Sequence, residues 1–132
     1  MPMPERALSV RPPAVAGRFY PGDPQKLRSE VGALTAAAPG YAGPRPAALI
    51  APHAGYIYSG KVAATAFAAL REIAESVSRI VVIGPAHYVA FRGIAVATVD
   101  AFETPLGRIA LDREAIARLA NLPFLEIGRA HV

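Results

Sequence analysis

The 132-residue chain has no cysteine and no tryptophan, two methionines, and only two lysines, Lys26 and Lys61. Without cysteine it forms no disulfide of its own and offers no thiolate to a metal. No apolar run approaches the ~20 residues that a bilayer crossing needs, and the opening Met1-Pro2-Met3-Pro4-Glu5-Arg6 lacks an apolar signal core. A soluble, cytoplasmic protein that engages no membrane is expected. The net charge of +4 comes largely from scattered arginines such as Arg18, Arg28, Arg45, Arg71, Arg92 and Arg118. With no basic run and no interleaving of aromatic and basic residues, no nucleic-acid groove is indicated. Histidine is scarce too, at three residues.

What is present is apolar: 53% of the chain is hydrophobic, much of it alanine, over a length that allows one domain at most. Two strand-like runs carry the most information. Ala47-Ala48-Leu49-Ile50 leads into Ala51-Pro52-His53, and Arg79-Ile80-Val81-Val82-Ile83 leads into Gly84-Pro85-Ala86-His87. A helix-like stretch separates them. A right-handed crossover would make the two strands parallel, and paired neighbours lie about 4.8 Å apart. His53 and His87 would then leave the same carboxyl-terminal sheet edge, where open α/β folds bind ligands.

Along the rest of the chain, Asp23 is expected to cap a helix with Pro24 at its first position and Leu27, Val31 and Leu34 on one face. The first core strand is placed at about 47–51. Tyr58 to Glu75 reads as the crossover helix, with Val62, Ala66, Ala69, Leu70 and Ile73 as its apolar stripe. A continuous β-branched strand comes next at 79–84, of the kind covered on both faces. A further strand is expected at 93–99. Thr104-Pro105-Leu106-Gly107 should turn into a short strand at 108–111, and Asp112 should cap a helix bearing Ile116 and Leu119.

The histidines admit two readings, satisfied structural residues or half of a facial metal site. A third ligand would be needed; Asp100 and Glu103 are nearby candidates that could equally serve a turn. Gly55-Tyr56-Ile57-Tyr58-Ser59-Gly60-Lys61 has the spacing of a phosphate-binding loop, but Val62 stands where the magnesium-holding hydroxyl belongs. The helix start at Ser59, Gly60 and Lys61 could still hold an anion through free N–H groups. Ser59 lacks the G-x-S-x-G elbow of a nucleophile and reads as a helix cap. Tyr56 and Tyr58 alternate, so that one could face a pocket beside His53 and orient a substrate or donate a proton while the other packs.

Ala16-Gly17-Arg18-Phe19-Tyr20-Pro21, Ile50-Ala51-Pro52-His53-Ala54-Gly55-Tyr56-Ile57-Tyr58-Ser59-Gly60, Gly84-Pro85-Ala86-His87 and Thr104-Pro105-Leu106-Gly107 occur in this order. Over about residues 10–125 the chain thereby resembles the MEMO family, whose prokaryotic members are called AmmeMemoRadiSam system protein B. The resemblance implies an α/β fold, a mostly parallel sheet flanked by helices, similar to the LigB-type subunit of class III extradiol dioxygenases and here incomplete. It implies metal-pocket histidines at His53 and His87, with Phe19 and Tyr58 lining the same pocket and Tyr58 as the catalytic candidate. Iron(II) or copper is the implied cofactor, its third ligand absent from this sequence. The implied partners are a radical SAM protein, an AMMECR-type protein, and a small-molecule or phosphopeptide ligand. A dioxygenase-like metalloprotein is the leading expectation; a non-catalytic module binding anionic or phosphorylated peptides through Ser59, Gly60 and Lys61 is the alternative.

Glu126-Ile127-Gly128-Arg129-Ala130-His131-Val132 is similar to an in-frame translation of a sequencing-adapter oligonucleotide. Residues 1–125 are therefore expected to be the N-terminal part of a single MEMO-like domain and 126–132 a non-native tail, with His131 in no site. Such a chain would expose a strand edge and an apolar face, and would be prone to association.

Overall fold

The structure is a computed structural model that describes residues 7–127. Its residues fall into two compact units, one formed by 14–81 and the other by 7–13 together with the chain from Val82 onward.

The unit of residues 14–81 is a pair of packed helices preceded by a tight loop. Helix α1 (Pro24–Ala37) begins at Asp23, whose carboxylate accepts the Lys26 N–H at 2.8 Å, with Pro24 in the first turn. Its Leu27 is 4% exposed, the most deeply buried apolar side chain among the described residues. Helix α2 (Tyr56–Ala68) packs along α1 and ends well short of Glu75; the chain then turns at 69–73 into a 3₁₀ segment, Ala74–Ser76. The buried face of α2 is Gly60, Ala64 and Ala68, four residues apart, and Val62 lies outside it. Small residues win this face because α1 comes close: a Cβ on Gly60 would sit 3.1 Å from Leu34 Cδ1. Of the expected stripe, Val62 is exposed, while Ala66 and, beyond the helix end, Ala69, Leu70 and Ile73 are half-buried.

The second unit carries the strands, in two small sheets. In the first, β1 (Val10–Arg11) pairs in parallel with β3 (Ala101–Thr104), which pairs antiparallel with β4 (Gly107–Ala110). The hairpin turns where Thr104 and Gly107 face each other: Thr104 Oγ1 donates to the Gly107 carbonyl at 3.0 Å and accepts the Leu106 N–H at 3.1 Å. Glu103 meets Arg108 across the strands at 3.1 Å, an exposed cross-strand pair. The second sheet joins β2 (Ile94–Val96) and β5 (Leu125–Ile127) in parallel. Between them α3 (Arg113–Leu119) starts at Asp112, whose Oδ1 accepts the Ala115 N–H at 2.9 Å. Glu126 and Ile127 are therefore backbone partners of Ala95 and Val96, and residues 128–132 lie outside the described residues.

This is a mixed α/β chain with small sheets and flanking helices, but two expected strands are not formed. Neither 47–51 nor 79–84 belongs to a ladder among the described residues, so the parallel pair on whose edge His53 and His87 were to meet is absent. Ile50 is 99% exposed, and Ile80 to Ile83 are all exposed, Val82 to 87%. A β-branched run becomes a strand only where another backbone pairs with it, and the ladders formed here engage other segments. The strand expected over 93–99 is limited to Ile94–Val96 for the same reason.

Candidate functional site

His53 is positioned by the loop of residues 15–20 and by helix α2, which begins just beyond it. In the loop Gly17 N–H donates to the Tyr20 carbonyl at 2.8 Å and Phe19 N–H to the Val15 carbonyl at 2.9 Å. The Phe19 carbonyl then accepts the Tyr56 N–H at 2.8 Å, so a group that would be orphaned at the start of α2 is satisfied by the loop. One turn further on, Ser59 Oγ donates to the Ala54 carbonyl at 2.9 Å. Ser59 lies inside the helix and ties the preceding turn down; the N-cap is Gly55, which makes no side-chain cap bond. That corrects the expectation of Ser59 as the cap.

Between this loop, α1 and the first turns of α2 lies a cleft of about 320 Å³. Its walls are mainly apolar, from Val15, Phe19, Val31, Leu34, Ala63, Ala64 and Phe67, with polar points at Tyr20, Thr35, His53, Tyr56 and Ser59. His53 lines the cleft while staying exposed. The rings of Tyr20 and Tyr56 lie 5.8 Å apart, tilted by 41°. Burial pushes the Tyr56 phenol above its ordinary value of 10.0, and the neighbouring Tyr20 and Glu30 add to the shift. Tyr56 is thus a protonated hydroxyl at neutral pH, a hydrogen-bond donor beside an apolar wall.

Of the residues singled out in the sequence, Phe19, His53, Tyr56, Ser59 and Gly60 line this cleft. Tyr58 does not: it is 84% exposed, and Tyr56 takes the cleft position. Two residues along a helix rotate a side chain by about 200°, so only one of the two tyrosines can face inward. At the proposed anion site the backbone is engaged. Ser59 N–H donates to the Gly55 carbonyl at 3.1 Å, Gly60 packs against Leu34, and of the three only Lys61 is exposed. The first N–H groups of α2 are mostly spent on Phe19 and Gly55, which leaves little for an anion.

His87 belongs to the other unit, in a bend with Tyr88, its ring 6.3 Å from the Tyr88 ring. Of the acidic candidates in that unit, Asp100 accepts the Ser9 N–H at 2.8 Å and Glu103 pairs with Arg108. Both carboxylates therefore organise strands. Among the described residues no three His, Asp or Glu side chains group to hold a metal ion. Sequence reasoning missed Tyr20 and Phe67 as cleft residues. The signal for Tyr20 was its place in the Phe19-Tyr20-Pro21 turn, whose backbone caps α2.

The Memo-like protein family matches residues 11–128 of the chain. A MEMO1 family protein of Aquifex aeolicus is 38% identical over 117 residues, which take up 89% of this chain and 42% of that protein. One from Ignicoccus hospitalis is 40% identical over 132 residues, covering 87% of this chain and 43% of its own length. The memo-1 homolog of Caenorhabditis elegans is 43% identical over 76 residues, 55% of this chain and 21% of that protein. The chain thus spans about two-fifths of the length of the prokaryotic relatives it matches. With the His53 cleft, the Phe19 loop and the match over residues 11–128 taken together, the chain belongs to the Memo-like family.

Proposed function

We propose that the chain supplies the His53 wall of a Memo-type pocket that takes a small, largely apolar molecule with a polar end, and that the intact protein does oxidative, dioxygenase-like chemistry in partnership with a radical SAM system. The observation that carries this reading is the cleft itself: Phe19, Tyr20 and Tyr56 bring ring surface and a protonated phenol next to the one imidazole of the lining. A ligand would slide its apolar body against Phe19 and Phe67 and accept a hydrogen bond from Tyr56 Oη. Charged peptide is a poorer fit, because no lysine or arginine lines the cleft and the start of α2 is closed by its own hydrogen bonds.

Iron(II) or copper is the metal this reading calls for, and it would activate oxygen toward a bound substrate. The cleft offers a single imidazole and no carboxylate, so the described residues do not complete a metal site. The remaining ligands, His87 included, would have to be gathered by the longer protein. The test is metal content in a chimera in which residues 11–128 replace the matched region of the Aquifex aeolicus relative. Iron or copper should co-purify near stoichiometry and fall at least about ten-fold in the H53A and H87A variants. Equal metal in the wild-type chimera and the double variant overturns the metal reading, whereas retention of a phosphopeptide instead would favour the binding module.

A further inference from the structure

The cleft beside His53 has a shape and a polarity that narrow what can enter it. Helices α1 and α2 run side by side in the same sense, because successive ties climb both. Glu30 lies near enough to Tyr56 to raise its phenol, Gly60 packs on Leu34, and Arg71 Nη2 donates to the Thr35 carbonyl at 2.5 Å. The cleft lining follows this seam from Tyr56 to Phe67, a stretch of helix about 16 Å long. Its volume of about 320 Å³ over that length leaves a mean cross-section of about 20 Å², room for one hydrocarbon chain. Polarity is confined to one end. Tyr20, His53 and Tyr56 stand there, whereas the middle is Val31, Leu34, Ala63 and Ala64. At the far end Thr35 Oγ1 donates to the Val31 and Gly32 carbonyls at 2.8 and 3.1 Å, so it has no proton left for a ligand. Building on the reading of this cleft as a ligand pocket, we propose that it takes an uncharged, straight-chain carbonyl compound. The carbonyl accepts from Tyr56 Oη, and the alkyl chain lies along α2 toward Phe67. A carboxylate head is disfavoured, since no lysine or arginine lines the cleft and Glu30 stands close to Tyr56.

The test is competition by straight-chain methyl ketones of increasing length against a small apolar fluorophore bound to the 132-residue chain. Affinity should rise about three- to four-fold with each added methylene and level off once the ketone reaches about 16 Å, the length of the seam. Ala63→Phe sets a ring about 10 Å along α2 from Tyr56 and should stop the rise at that length, leaving shorter ketones unchanged. Ala63→Leu is a milder plug that should reduce the gain beyond the same point, and it serves if the ring disturbs folding. Tyr56→Phe should weaken every length by one factor, about five-fold, without changing the slope. A rise that continues past the seam length, or that neither Ala63 variant alters, means that the chains lie on open apolar surface and overturns the proposal. Tighter binding of the fatty carboxylate of matching length overturns it as well. If a compact fused-ring ketone displaces the fluorophore and the straight chains do not, this inference fails while the ligand pocket stands. If neither displaces it and the Ala63 variants leave fluorophore binding unchanged, both fail. No readout here involves metal, so the metal reading stands or falls separately.

Discussion

His53 and His87 stand after similar apolar runs, yet their surroundings differ. Two residues after His53 the chain reaches the Gly55 cap, and three hydrogen bonds then fix its neighbourhood, Tyr56 N–H to Phe19, Ser59 N–H to Gly55 and Ser59 Oγ to Ala54. After His87 the chain passes through an exposed bend, with Tyr88 91% exposed, and meets no regular element until Ile94. The preceding run is largely exposed in both cases. A site residue in this chain is thus held by the element that begins after it, not by the strand-like segment that leads to it. Helix starts form from local bonds, whereas a strand needs a partner distant in sequence.

The sharpest way to break this contrast is at Gly93, which opens β2 on the His87 side. Its φ is +87°, and a Cβ there would fall 2.1 Å from the Phe124 carbonyl oxygen, the acceptor of the Ile94 N–H. Gly93→Ala should cost about 3 kcal/mol or more in the β2–β5 pair, because strain and a backbone clash add. Hydrogen exchange should show the loss at Ile94–Val96 and Leu125–Ile127 while the β3–β4 hairpin keeps its protection. Unchanged exchange at β2 would mean that the β2–β5 pair does not anchor the segment after His87.

On the other side the equivalent lesion is Gly60→Val. It places a branched side chain where even a Cβ would come within 3.1 Å of Leu34, in the seam between α1 and α2. Overpacking of this kind costs about 1–3 kcal/mol, less than the Gly93 change because Leu34 can move its terminal methyls. Circular dichroism at about 222 nm during urea unfolding should show the loss of helix stability, and a small apolar fluorophore that fills the cleft should bind more weakly. Undiminished stability would show that the small-residue face of α2 is not what seats the helix beside His53.

Much of this was legible in the sequence, and the division tracks range. Asp23 with Pro24, Asp112, and the Thr104–Gly107 turn act over three or four residues, and each does what its local chemistry predicts. The family could be read from the block around His53 and the Phe19-Tyr20-Pro21 turn, since these motifs are contiguous. The run at 47–51 was read from its apolar character and that at 79–84 from β-branched composition, which state a preference for pairing but name no partner. On α2 the expected stripe placed Val62 on the buried face and left out Gly60, Ala64 and Ala68. Close helix approach rewards Gly60, Ala64 and Ala68 instead and leaves Val62 outside. The choice of Tyr56 over Tyr58 depended on the same phase, and on a hydrogen bond to Phe19 that no sequence window contains.

The smallest expected effect, and the one that tests the His53 side most directly, is the titration of Tyr56. Its phenol is raised above 10.0 by burial first and by Tyr20 and Glu30 second. The folded state therefore holds this proton more tightly than the unfolded chain does. The sign comes from linkage: the contribution to stability is whole below pH 10.0, erodes as the unfolded tyrosine ionises, and is lost as pH rises through the folded value. Ultraviolet difference titration should resolve one tyrosine that ionises above the ordinary value of 10.0, and Tyr56→Phe should remove that late step alone. Tyr20→Phe should lower it only in part, since burial is the larger cause. If Tyr56 instead titrates at its ordinary value, the cleft beside His53 is wetter than its walls suggest, and the His53 side would differ from the His87 side in backbone order but not in the dryness that a ligand-binding wall requires.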